Sequence, residues 1–251
     1  MSFKDKVVIV TGSSSGIGRQ AAITFAAQGA KVAVVARRVE EGQQTVDLIK
    51  TQGGIAEFFQ TDVTNSQEVA AMVAAVEQTF GRLDCAFNNA GMAEPISNTV
   101  DLSEEDFDRV LNTNLKAAWL CMKYQIPAML KNGGGAIVNM SSVWGVLATS
   151  MGVPAYVASK HGVIGLSKAT ALEYGAKGIR VNTISPAWVP TEANAPVLDN
   201  PDLYNMILAQ HPIGRLGTTQ DVANAVLWLC SEQASWYTAQ NLILDGGYSA
   251  Q

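Results

Sequence analysis

Short apolar runs rich in β-branched residues alternate along this chain with longer stretches whose apolar positions recur at helical spacing. Residues 6–12 (KVVIVTG), 31–37 (KVAVVAR), 55–62 (IAEFFQTD), 83–91 (LDCAFNNAG), 136–142 (AIVNMSS), 179–186 (IRVNTISP) and 241–247 (NLILDGG) read as strands. Helices are predicted over 16–29, 40–52, 66–80, 154–176 and 219–231, with a further long one opening at Ser103 and running past Asn114. Ser103 followed by Glu104, Glu105 and Asp106 supplies an N-cap and an acidic first turn. Residues 187–213 show no period and are expected to be irregular. The strands are almost continuously apolar, as when helices cover both faces of a parallel sheet. Right-handed crossovers then give a single α/β domain over 1–251, a doubly wound, Rossmann-type sheet of seven mainly parallel strands. In such a sheet, ligands bind at the carboxyl ends of the strands. There is no linker, low-complexity tract or internal repeat.

Between the first strand and first helix lies Thr11-Gly12-Ser13-Ser14-Ser15-Gly16-Ile17-Gly18. Gly12 can make a sharp turn, Gly16 admits a pyrophosphate close to the backbone, and Gly18 lets the helix pack on the sheet. The helix start offers unpaired amides and the positive end of a dipole to phosphate groups. The G-x-x-x-G-x-G spacing resembles the short-chain dehydrogenase/reductase family, and the resemblance extends over essentially the whole chain. It implies that Ser14, Ser15 and Ile17 contribute to the dinucleotide site with the three glycines. It also implies that Asn89, Ala90 and Gly91, in Asn88-Asn89-Ala90-Gly91, support the sheet and meet the adenine ribose, and that Asp62 and Val63 contact adenine. Asp62 taken alone also fits a helix N-cap.

An acid at the end of the second strand would bond the 2′-hydroxyl of NAD. That end reads Val35-Ala36-Arg37-Arg38, whose guanidinium groups can fork onto a 2′-phosphate. NADP(H) is therefore expected over NAD(H), although Ser15 occupies a position that is basic in many NADP-dependent relatives.

Tyr156 and Lys160 stand four residues apart on one predicted helix, hence on one face. A ketone becoming an alkoxide needs a proton, and the reverse reaction needs a base. A nearby ammonium is expected to lower the phenol's pKa toward the working range. By the family resemblance Tyr156 is the general acid/base, Lys160 also bonds the nicotinamide ribose, Ser142 holds the substrate oxygen and Asn114 completes a water-linked proton relay. The family pattern selects Ser142 over the adjacent Ser141, and Asn114 over Asn112. Pro186-Ala187-Trp188-Val189-Pro190-Thr191 resembles the nicotinamide-binding segment, in which Pro186, the Val189 backbone and the Thr191 hydroxyl take part; Ala187 stands where glycine is usual.

The activity implied is hydride transfer between NADP(H) and an alcohol/ketone pair (EC 1.1.1.-) on a largely apolar or small carbonyl substrate. A 3-oxoacyl-carrier-protein reductase shares every motif, as does an NAD-dependent alcohol or hydroxysteroid-type dehydrogenase. A dinucleotide-sensing protein without catalysis would be expected to lack Tyr156 or Lys160. Specificity is assigned to 144–153 and to a substrate loop at about 187–213, with Trp144, Val146, Leu147, Met151, Val153 and Trp188 as candidate apolar walls. Glu94 and Glu192 are available to a polar or cationic group.

Composition narrows the rest. With 48% hydrophobic and 16% charged residues, the chain has material for a large core. A net charge of -5 argues against nucleic-acid binding. No apolar run approaches the roughly 18 residues of a membrane span, and none at the start resembles a signal peptide. With Cys85, Cys121 and Cys230 far apart, a cytoplasmic location is expected. His161 and His211 lack ligand-spaced partners, so no catalytic metal is expected. Family resemblance implies a homotetramer, and the ending at Gln251 resembles relatives with a structural magnesium near the C-terminal carboxylate.

Overall fold

A computed structural model describes residues 1–251. Seven strands, β1 (Val7–Thr11), β2 (Lys31–Ala36), β3 (Ile55–Gln60), β4 (Cys85–Asn88), β5 (Gly135–Met140), β6 (Ile179–Pro186) and β7 (Asn241–Leu244), form one sheet in the order β3-β2-β1-β4-β5-β6-β7. Every pairing is parallel. The chain winds outward from β1 in one direction and from β4 in the other, so the crevice of this doubly wound sheet opens between the carboxyl ends of β1 and β4.

The two-residue period of a strand divides the core. Val8, Val10, Val32 and Val34 face a cluster that includes Phe25 of α1 (Gly16–Ala27), Val46 and Ile49 of α2 (Val39–Thr51), and Val222 and Val226. Val7, Ile9, Ala33 and Val35 face the opposite cluster, with Val69 and Val73 of α3 (Ser66–Phe80), and Leu120 and Ile126. Both faces are thus apolar, which explains why these strands do not alternate with polar residues.

The helix opening at Ser103 is broken by a change of pitch. It comprises α4 (Glu104–Leu111), a π-helical turn (Asn112–Lys116) and α5 (Ala117–Leu130). α6 (Pro154–Tyr174) follows β5 and a 3-10 turn (Val143–Gly145). The expectation of an irregular 187–213 is corrected in part: it holds α7 (Ala195–Leu198) and α8 (Pro201–Ala209). The start of α8 is set locally, because the Asn200 side chain accepts from Asp202 and Leu203 N–H while Pro201 occupies the first turn. α9 (Thr219–Cys230) begins with a Thr218/Asp221 capping box and precedes β7. No helix is long and apolar enough to cross a membrane.

Candidate active site

Where β1 ends, Gly12 has φ +65°, and a Cβ there would lie 2.9 Å from both Ala90 Cα and Asn89 Nδ2. The turn is held to the end of β4: Asn89 Nδ2 donates to Thr11 O (3.0 Å) and Gly12 O (3.2 Å), while Thr11 Oγ1 accepts from Asn89 and Ala90 N–H. A Cβ at Gly18 would sit 2.3 Å from Gly12 O, so only glycine lets α1 approach this turn. The first turn of α1 holds no acid, and its N-cap Ser15 makes no side-chain cap. Its amides are therefore free for an anion. Gly12, Ser15, Gly16 and Ile17 line one large cleft, as do Asn89, Ala90 and Gly91; Ser14 is buried beside it.

At the end of β2, Arg38 reaches back to the glycine turn, donating to Ser14 Oγ (3.1 Å) and Ser15 Oγ (2.9 Å), and pairs with Glu41 at 3.0 Å. Arg37 is exposed. Burial alone would raise the Asp62 carboxyl, but hydrogen bonds from the Thr64 hydroxyl and N–H, with the Arg37 charge, leave it below its ordinary value. Val63 is buried. These groups lie outside the lining of the main cleft.

The other end of the cleft is built on β5 and α6. Tyr156 and Lys160 lie on the first turns of α6, with the Lys160 ammonium 5.3 Å from the Tyr156 ring centroid. Lys160 is 3% exposed and donates to Met140 O at 3.1 Å. Without an acidic partner, burial lowers its pKa to about 8. The expected depression of the Tyr156 pKa is corrected. Burial raises the phenol above its ordinary value, opposed by a hydrogen bond with Ser142. Desolvation of the phenolate outweighs that bond.

Ser142 lines the cleft and its Oγ accepts from Trp144 N–H. The Ser141 hydroxyl is buried and donates to Lys160 O at 3.0 Å, which leaves Ser142 as the available hydroxyl. In the π-helical turn Asn112 is exposed and Asn114 buried. Asn114 Oδ1 accepts from Met92 N–H (2.8 Å), and its Nδ2 donates to Met92 O (3.0 Å) and Ser159 Oγ (3.3 Å). Its amide therefore fixes the backbone behind the cleft.

The cleft encloses about 530 Å³. Pro186, Val189 and Thr191 line it opposite the glycine turn. Asn194 pins this loop: its Oδ1 accepts from Thr191 N–H (2.8 Å) and its Nδ2 donates to Val189 O (2.8 Å). Sequence reasoning passed over Asn194, though an Asn three residues beyond a Thr in an irregular stretch is a turn signal. Above Tyr156, Trp144 packs edge-on against its ring (6.2 Å between centroids) and against Trp188 (5.6 Å). Met151 and Val153 join this wall, as do Met92 and Ile96, which the sequence did not single out. No group of three or more His, Cys, Asp or Glu side chains is placed to hold a metal. At the C-terminus, the Gln251 side chain donates to Gln210 O.

A family model described as Enoyl-(Acyl carrier protein) reductase matches residues 12–249. The cyclohexanol dehydrogenase of Acinetobacter sp. (strain SE19) is 40% identical over 249 residues, covering 99% of this chain and 97% of that protein. A 3-oxoacyl-[acyl-carrier-protein] reductase of Staphylococcus aureus (strain Mu50) is 37% identical over 243 residues, covering 96% and 97%. Among solved structures, levodione reductase superposes with a TM-score of 0.95 at 33% identity, covering 99% of each chain. With the glycine turn, the Tyr156/Lys160 helix and these matches in agreement along nearly the full length, the chain belongs to the short-chain dehydrogenase/reductase family and is an oxidoreductase of the NAD(P)-dependent kind.

Proposed function

We propose that this enzyme transfers a hydride between NADP(H) and an uncharged, largely apolar ketone/secondary-alcohol pair, with a six-membered ring as the preferred substrate scaffold. The observation that carries this reading is one cleft with the glycine turn at one end and, at the other, the Tyr156 phenol beside Ser142 and Lys160 under a wall of Trp144 and Trp188. The residues present fit the dinucleotide: open amides at the start of α1 suit a pyrophosphate, and Arg38 at the phosphate turn with Arg37 beside it suits a 2′-phosphate. The bound nicotinamide supplies or accepts the hydride. In reduction Tyr156 donates its proton to the carbonyl oxygen, which the Ser142 hydroxyl holds. Lys160 supports the phenolate as it forms, and Asn114 helps return a proton from solvent. A phenol held protonated by burial is suited to the acid role near neutrality.

The ring preference draws on the shape of the aromatic wall and on a relative named for cyclohexanol. The acyl-carrier-protein reading draws on the family model and the Staphylococcus relative, but a carrier protein calls for basic docking residues, and Glu94, Glu192 and the buried Lys160 are the charged residues of the cleft. Exposed Phe107, Trp119 and Leu172 on α4, α5 and α6 suit subunit contacts in a homotetramer. A structural magnesium would then have to be assembled between subunits around the Gln251 carboxylates. The test is nicotinamide absorbance with NADPH or NADH against cyclohexanone, linear ketones and an acetoacetyl thioester. Turnover highest with NADPH and cyclohexanone is expected; preference for the thioester, or no turnover of any ketone, overturns the reading.

A further inference from the structure

α6 begins without a cap of its own. Its N-cap residue Val153 offers no side-chain acceptor, and Pro154 has no N–H. The first free amides are therefore those of Ala155 and Tyr156. Both are taken by one carboxylate from a distant part of the chain: Glu94 Oε1 accepts from Ala155 N–H (3.2 Å) and Glu94 Oε2 from Tyr156 N–H (2.6 Å). Glu94 is 7% exposed, and these amides are its only hydrogen-bond partners; no cation pairs with it. A carboxylate so buried needs a counter-charge, which the positive end of α6 supplies. The surrounding loop is fastened at both sides, with Met92 bonded to Asn114 and Ser97 N–H donating to Gly152 O at 2.8 Å.

We propose that Glu94 is a positioning residue for Tyr156, a cap supplied by the β4–α4 loop that fixes the first turn of α6 and cancels the helix-terminal charge beside the phenol. The inference rests on Tyr156 being the acid/base. With Glu94 in place the Tyr156 N–H ends on a carboxylate instead of lying open at the helix end, so the neutral, proton-donating form of the phenol is favoured. Other charged or titratable groups around the phenol are Lys160 on α6 and Glu192 from the loop after β6, both lining the cleft. Ser142 and Trp144 from the β5 side carry no charge. His161 is exposed and bonded to Val157 O.

Glu94→Gln removes the charge and one of the two acceptors, whereas Glu94→Asp keeps the charge on a shorter arm. Tyr156 ionisation is read by phenolate ultraviolet absorbance, subtracting the Tyr156→Phe protein, alongside kcat and KM for cyclohexanone with NADPH. Removing a negative charge and exposing helix amides both favour phenolate. Glu94→Gln is therefore expected to move the midpoint down by about half a pH unit to one unit, with kcat about tenfold lower and KM for NADPH nearly unchanged. Glu94→Asp should hold the midpoint and lower kcat. If Glu94→Gln does not fold, Glu94→Asp decides alone: lowered kcat with an unmoved midpoint supports the inference, and wild-type kcat overturns it. An unshifted midpoint in folded Glu94→Gln overturns it while leaving the proposed function intact. Full activity of Tyr156→Phe instead removes the proposed function.

Discussion

Lys160 is a buried cation without an acidic partner, so its replacement should stabilise the fold while destroying the activity. Its pKa falls from 10.5 to about 8, and at 1.36 kcal/mol per unit this sets a burden of about 3 kcal/mol on the cofactor-free protein. Lys160→Met keeps most of the side-chain volume and removes the charge. It also forfeits the bond to Met140 O, a loss of about 1 kcal/mol, leaving a net gain of about 2 kcal/mol. For a chain of this size that is a rise of about 4–8 °C in melting temperature. The sign with pH is fixed by linkage. Between about 8 and 10.5 the unfolded chain holds a proton that the folded protein does not, so wild-type stability rises with pH through this window. The burden is complete below about pH 8 and gone above about 10.5, and the advantage of Lys160→Met should vanish over the same interval. Calorimetric or urea unfolding of both proteins at fixed concentration from pH 7 to 10.5 measures this. Equal stability at pH 7, or a difference that ignores pH, would refute the claim that Lys160 is held against its solvation.

Tyr156→Phe should cost about two to four decades in turnover, with NADPH affinity by fluorescence titration changed less than about threefold. Because burial keeps the phenol protonated, ketone reduction should persist at neutral and mildly acid pH, whereas alcohol oxidation should climb with alkaline pH; paired pH–rate profiles show this. Arg38→Ala removes charge-assisted bonds worth about 1.5–3 kcal/mol, so KM for NADPH should rise roughly tenfold to a hundredfold and KM for NADH far less. Arg37→Asp should shift preference toward NADH by repulsion, as steady-state kinetics with both cofactors would reveal. Trp144→Ala opens the wall against Tyr156 and should raise KM for cyclohexanone more than for a linear ketone, which the same assay compares.

The parts of this protein that could be read from the sequence are those whose cause is local. Val7 and Ile9 serve one face of the sheet and Val8 and Val10 the other, so β1 announces itself as an uninterrupted apolar run whatever its partners. The four-residue step from Tyr156 to Lys160 needs only a helix, and the Gly12–Gly18 spacing needs only a strand, a turn and a helix. The short α8 was also legible, since Asn200 before Pro201 is a capping signal; the surrounding lack of period hid it.

What escaped depends on meetings that no local pattern encodes. Glu94 and Tyr156 lie 62 residues apart, and nothing near Glu94 says that its carboxylate ends on a helix instead of on a ligand. The Tyr156 pKa failed for the same reason. The ammonium is visible in the sequence, but the enclosure that raises the phenol comes from Trp144 and the loop after β4 converging on it, against the opposing hydrogen bond of Ser142. Burial is a sum over neighbours, and near Tyr156 and Lys160 it works against the charged form of each. A neutral phenol is therefore paired with a readily neutralised amine. The polarity of this site is set by the fold that surrounds the motif, and the same four-residue spacing in a more open cleft would hold its proton less tightly.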